Sequence, residues 1–186
     1  MTPEPTTVQP RRADAERNRE KILETARAAF AEPGDRVSLA EISRRAGVGM
    51  ATLYRNFPGR RELLEALYVD EVDAICDAAR TIEGETPGAV LDAWLHRFVE
   101  FFESKHEIAD ELLEQPDVDD AVFDDNRARV LAAGRPLLAA AQESGEIRED
   151  LTLEHLLDLV IAVSRIRGDS GYLEPILRTV LAGIRR

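Results

Sequence analysis

Between Ile42 and Arg61 the chain carries five arginines (Arg44, Arg45, Arg55, Arg60 and Arg61) and no acidic residue, interleaved with Thr52, Tyr54 and Asn56. Guanidinium, hydroxyl and amide groups in one short window suit a single chemistry: neutralising phosphates and hydrogen-bonding to base edges. Arg can pair bidentately with guanine and Asn with adenine, while Met50 or Ala51 can touch a thymine methyl. The rival chemistries find less support. The carboxylates at Asp117, Asp119, Asp120, Asp124 and Asp125 have no His or Cys partner in a motif and read as an acidic linker and helix start. No phosphate-cradling glycine loop or nucleophile elbow is present, so no enzyme is expected. His96, His106 and His155 never share a helix at ligand spacing, so neither a metal nor a cofactor is expected. A helical interaction protein that has lost DNA binding would have no physical reason to keep the arginine window free of acids.

The elements that must position these groups are legible around them. Ser38 with Glu41 three residues on reads as a capping box. Leu39, Ile42 and Ala46 form the apolar stripe of a short helix, and Gly47 stands where a left-handed residue stops it. Met50 to Phe57 resumes a helix with Leu53 and Phe57 on one face, leaving Thr52, Tyr54, Arg55 and Asn56 largely on the others. Helices this short need packing to persist. A capped helix, a glycine turn and a second helix with a polar outer face make a helix-turn-helix, whose second helix lies in the major groove.

The stretch SLAEISRRAGVGMATLYRNF resembles the DNA-binding signature of the tetracycline-repressor (TetR) family of bacterial regulators. Ser38, Ile42, Ala46, Gly47, Val48, Thr52, Tyr54, Phe57 and Arg60 match it. Ser43, Gly49 and Ala51 depart from it, standing where Ala, Ser and Gly are usual. The resemblance implies phosphate contacts from Ser38, Thr52, Tyr54 and Arg60. Arg44 or Arg45 could join them, and base reading would fall to Gly49, Met50, Ala51, Arg55 and Asn56. Tyr54 can also be read as a half-buried packing ring. Arg60 and Arg61 would open the next helix after Gly59, with Glu62 placed to reach back to the cap; two cations at a helix N-terminus make an anion site or are merely solvated. Arg11 and Arg12 are equally a minor-groove arm or a solvated basic tail.

Charge supports the same reading when counted locally. The whole chain holds 24 basic and 36 acidic residues, hence −12. Residues 1–61 hold 12 and 8, hence +4, and residues 62–186 hold 12 and 28, hence −16. An acidic remainder repels duplex DNA and confines its approach to one face.

With 44% apolar residues, few aromatics and no alternating pattern, the 186-residue chain is expected to be all-α. About nine helices are expected, near 12–32, two in the motif, 60–83, 87–103, 106–114, 119–144, 153–166 and 172–185. Gly134 and Pro136 predict a kink in the seventh. The expected organisation is a disordered arm (1–11), a helix-turn-helix domain (12–72) and an effector-binding and dimerisation domain (73–186). No bilayer-length apolar run or signal peptide is evident. The lone Cys76 sits at helical spacing among Val72, Ile75 and Ala79; it suits burial and a reducing cytoplasm.

Two apolar stripes close the chain. One is Leu153, Leu156, Leu157, Val160 and Ile161; the other is Tyr172, Ile176, Leu177, Val180, Leu181 and Ile184. Both have helical spacing. They either pack on their own core or close a four-helix homodimer interface of the kind the resemblance implies. If the protein is ligand-controlled, Trp94, Phe98, Phe101, Phe102 and Phe123, with His96 and His106, are candidates for a small-molecule effector pocket. The partners implied are a pseudo-palindromic DNA operator, a second copy of the chain and an unknown effector, with repression the sign the resemblance favours.

Overall fold

Gln9, with Pro10 behind it, opens the first helix; proline is tolerated in a first turn because its missing N–H would have no partner there. In the computed structural model, which describes residues 9–30, 32, 37–113, 120–166 and 170–186, eight helices follow in order. They are α1 (Gln9–Phe30), α2 (Leu39–Arg45), α3 (Met50–Asn56), α4 (Arg60–Thr81), α5 (Pro87–Leu113), α6 (Asp120–Glu143), α7 (Leu153–Ser164) and α8 (Ser170–Gly183). The protein is all-α, and the described residues contain no strand beyond one antiparallel bridge, Ile147 to Arg185.

Two expectations need correction. The first helix starts at Gln9, not near residue 12, while most of the expected arm lies outside the described residues. The two helices expected at 87–103 and 106–114 are one: no Gly or Pro stands between Phe102 and Leu113, so nothing stops α5. The helix expected at 119–144 is α6, one element that holds both Gly134 and Pro136 inside it. Gly134 has a different use, since a Cβ there would overlap the Trp94 ring.

Contacts divide the chain into two compact units, one of Met1–Tyr68 with Ile108–Gln115 and one of Val69–Glu107 with Pro116–Arg186. In the first, α1 packs on α2 and α3, and Ile22, Leu23, Ala26 and Ala29 of α1 are buried along with Ile42, Leu53, Phe57, Leu63, Leu64 and Leu67. In the second, Trp94 is fully enclosed and donates its indole N–H to the Ile75 carbonyl at 3.1 Å. Cys76 is buried as expected, and burial pushes its thiol pKa up. The Glu146 carboxylate accepts from the Thr86 hydroxyl (2.6 Å), the Ser144 hydroxyl (2.9 Å) and the Gly88 N–H (3.1 Å), so it ties the α6–α7 loop to the first turn of α5. Thr152 caps α7 in a reciprocal box with His155.

Candidate nucleic-acid interface

The first unit's two short helices are held by local bonds. Ser38 Oγ accepts from the Glu41 N–H at 3.2 Å, starting α2. The other half of the expected capping box does not form. Glu41 instead gives its carboxylate to Arg44 (2.7 and 2.8 Å) and to Arg45 (2.7 Å), and these bonds lower its pKa to about 2. Arg45 also bonds both carboxylate oxygens of Glu32, at 2.7 and 2.8 Å.

At the end of α2, Gly47 takes φ +66°, the left-handed conformation its position demands. Its N–H bonds the Arg44 carbonyl at 3.2 Å, and the Val48 N–H bonds the Ser43 carbonyl at 3.1 Å, the paired pattern of a Schellman stop. Ser43, one of the departures from the family pattern, is buried and donates across this turn to the Val48 carbonyl at 2.6 Å. Sequence reading noted the residue and missed the bond, because its partner lies beyond the turn. Gly49 caps α3 without a side chain, and a Cβ there would meet nothing within 4 Å.

Helix α3 is pinned by Leu53 and by Phe57, over whose ring the Arg19 guanidinium carbon sits at 4.7 Å. With those two inward, Ala51, Tyr54 and Arg55 are exposed, Tyr54 by 49%. Met50, Thr52 and Asn56 are half-buried. Arg55 folds along its own helix, donating to the Ala51 carbonyl and to Thr52 Oγ1, both at 3.1 Å; Asn56 Nδ2 donates to the Thr52 carbonyl at 2.8 Å. A cleft of about 410 Å³ lies between α1 and α3, lined by Asp14, Ala15, Asn18, Thr52, Arg55 and Asn56. The α1 residues in it were not singled out from sequence; Asp14 and Asn18, four apart on the helix, were the available signal.

The arginines expected at the start of α4 lie differently. Arg60 turns inward to Glu111 and to the Val37 carbonyl. Arg61 bonds Glu65 one turn on, at 2.8 Å. The Glu62 carboxylate does reach back, lying 2.8 Å from where a Cβ on Gly59 would stand.

In the second unit Trp94, Phe98 and Phe101 are buried, and Phe102 and Phe123 are half-buried. The rings form a run, with Trp94 and Phe98 centres 6.0 Å apart and those of Phe98 and Phe101 5.4 Å apart. A cleft of about 220 Å³ is lined by Glu71, Ala74, Ile75, Arg97, Glu100 and Phe101, so Phe101 alone of the five candidates lines it. The side chain of His106 lies outside the described residues. The terminal stripes divide: Leu153, Leu156, Leu157, Val160, Leu177, Leu181 and Ile184 are buried within the chain's own core. Ile161, Ile176 and Val180 are half-buried and Tyr172 is 59% exposed. Sequence reading missed Leu159, 41% exposed, and Ile166, 37% exposed, on the opposite face of α7 and just beyond its end. Among the described residues no cluster of three His, Cys, Asp or Glu could hold a metal, and no helix is long and apolar enough to cross a membrane.

An all-helical chain with a Schellman-stopped helix leading into a polar-faced second one has the architecture of a helix-turn-helix regulator. The family model for bacterial regulatory proteins of the tetR family matches residues 22–67, and that for the C-terminal domain of SbtR-like transcriptional regulators matches residues 86–186. Two crystal structures of TetR transcriptional regulators superpose closely. One, from Streptomyces coelicolor, is 34% identical, covering 90% of this chain and 98% of that one with a TM-score of 0.75. The other, from Mycobacterium vanbaalenii, is 34% identical, covering 94% and 99% with a TM-score of 0.75. An uncharacterised helix-turn-helix regulator of Mycobacterium bovis is 39% identical over 56 residues, which span 30% of each protein. The chain belongs to the TetR family of transcriptional regulators.

Proposed function

We propose that the protein is a ligand-released repressor that binds a pseudo-palindromic operator as a homodimer in the cytoplasm. The observation that carries this reading is the exposed face of α3: Ala51, Tyr54 and Arg55 face outward, while Leu53 and Phe57 anchor the helix from behind. Residues 12–72 form the DNA-binding domain and residues 73–186 the effector and dimer domain in this proposal. Gly49, Met50, Ala51, Arg55 and Asn56 read bases, with the arginine and asparagine side chains leaving their own helix as they engage DNA. Ser38, Thr52 and Tyr54 hold phosphates, and Arg44 and Arg45 supply positive field near them.

Dimerisation is assigned to α7 and α8, through the half-buried Ile161, Ile176 and Val180 with the exposed Leu159, Ile166 and Tyr172. The core residues of both helices position this surface from behind. A two-fold pair then presents two α3 helices to half-sites a turn or more of DNA apart. The effector is a small molecule admitted beside the Trp94–Phe98–Phe101 run, and its binding lowers operator affinity by linkage.

Selection of bound fragments from a genomic library tests the reading. Enriched fragments should share an inverted repeat, and their affinity should fall steeply with salt. Recovery of no enriched sequence at low salt would refute it.

A further inference from the structure

The Arg60 side chain points into the protein. Its Nε donates to Glu111 Oε1, its Nη1 donates to the Val37 carbonyl, and its Cζ lies 5.3 Å from the centre of the Phe30 ring. The Arg60 side chain keeps 21% of its surface and that of Glu111 keeps 9%. Nη2 is buried as well and has no hydrogen-bond partner among the described residues. Nε and Nη1 are engaged by Glu111 and the Val37 carbonyl and Nη2 is buried, so a DNA phosphate would have to compete with these partners for the side chain.

The partners of Arg60 suggest another use. Val37 immediately precedes the Ser38 cap, so Arg60 fixes the carbonyl from which the chain turns into α2. The Schellman stop and the Ser43–Val48 bond then carry the placement of α2 across to α3. Glu111, fifty-one residues beyond Arg60, falls within the C-terminal family match at 86–186 yet packs in the same compact unit as α1, α2 and α3. A pair this enclosed behaves unlike the more exposed Arg44–Glu41 pair. Removing one partner strands a charge away from water, whereas breaking an exposed pair changes little.

We propose that Glu111 is a positioning residue for DNA binding: through Arg60 it sets the start of α2 and hence the placement of α3. This rests on the DNA-binding reading above, and the test separates the two.

Full-length protein is titrated with a genome-selected duplex over a salt series, and amide exchange at residues 39–45 is followed without DNA. The variants are Glu111→Gln, Arg60→Ala, their combination, and the exchanged pair Arg60→Glu with Glu111→Arg. Glu111→Gln and Arg60→Ala should each weaken binding on the order of tenfold or more, with the combination no worse than either. The salt slope should stay at the wild-type value, α2 amides should exchange faster, and the exchanged pair should recover most of the affinity. If Arg60→Ala instead lowers the salt slope by about one ion and Glu111→Gln binds like wild type, Arg60 is a phosphate ligand and the proposal is overturned. Should the exchanged pair fail to fold by circular dichroism, the near-isosteric Glu111→Gln still decides. If the wild type binds no duplex, the functional reading fails first. In that case unchanged α2 exchange in Glu111→Gln removes the positioning role, and faster exchange retains Glu111 as the support of α2.

Discussion

Two helix pairs end in opposite relation to what their sequences suggest. In α2–α3 Tyr54 and Arg55 are exposed as expected, with Thr52 and Asn56 half-buried; in α7–α8 most of the side chains expected at a partner are spent on the chain's own core. Length explains the difference. Helix α3 has seven residues and two apolar anchors in its vicinity, Leu53 and Phe57, so its outer face is set by elimination. Helix α7 is twelve residues long and apolar on more than one side. The row Leu153, Leu156, Leu157, Val160 and Val163 goes inward, and Leu159 with Ala162 is left outside. An amphipathic stripe identifies a buried face without saying which chain buries it.

The sharpest way to break this contrast is to truncate one buried ring and one exposed ring. Trp94→Ala should destabilise the protein by roughly 3–5 kcal/mol in chemical denaturation, because it empties the space between Ile75 and Gly134. Tyr54→Ala should leave stability within about 0.5 kcal/mol of wild type while lowering duplex affinity. A comparable loss of stability from both would mean that α3 is more deeply packed than its exposure indicates.

Within α7 the contrast can be drawn at neighbouring positions. Leu157→Ala should cost about 2–5 kcal/mol of chain stability, since Leu157 is almost fully buried. Leu159→Ser should cost under about 0.5 kcal/mol in the isolated chain but shift sedimentation toward monomer. If Leu159→Ser leaves the oligomeric state unchanged, that face of α7 is not an interface.

A smaller effect is expected in the turn between α2 and α3. Ser43→Ala gives up the bond to the Val48 carbonyl and should lower stability by about 1 kcal/mol, read from the melting temperature. An equal or higher melting temperature would show that the alanine usual in the family serves as well here.

The loop carboxylate of the second unit can be set against its own neutral variant. The Thr86 hydroxyl, then the Gly88 N–H and the Ser144 hydroxyl, hold the Glu146 pKa below its ordinary 4.5. A depressed folded-state pKa contributes stability that is present above the unfolded value and lost as pH falls through the folded one. Wild type should therefore melt higher than Glu146→Gln at neutral pH, with the gap closing under acid, below about pH 4.5. A gap constant with pH would remove Glu146 as its source.

Much of this is legible in the sequence. Local features with short spacing are readable: the Gly47 stop and the Leu53 and Phe57 anchors. Each depends on residues within about two turns of one another. What escaped depends on partners far along the chain. Arg60 turns to Glu111, Gly134 makes room for Trp94, and Glu146 caps a helix that starts at Pro87; no spacing rule links such pairs. Glu41 differs for a second reason: two arginines on its own helix compete for the carboxylate that a capping box would use.

Photo-crosslinking from two positions tests the central claim most directly. A benzophenone side chain at position 54 should attach to an operator-length duplex, and one at position 159 should attach to a second copy of the chain. Crosslinks to DNA from position 159, with none from position 54, would contradict the assignment of α3 as the reading helix.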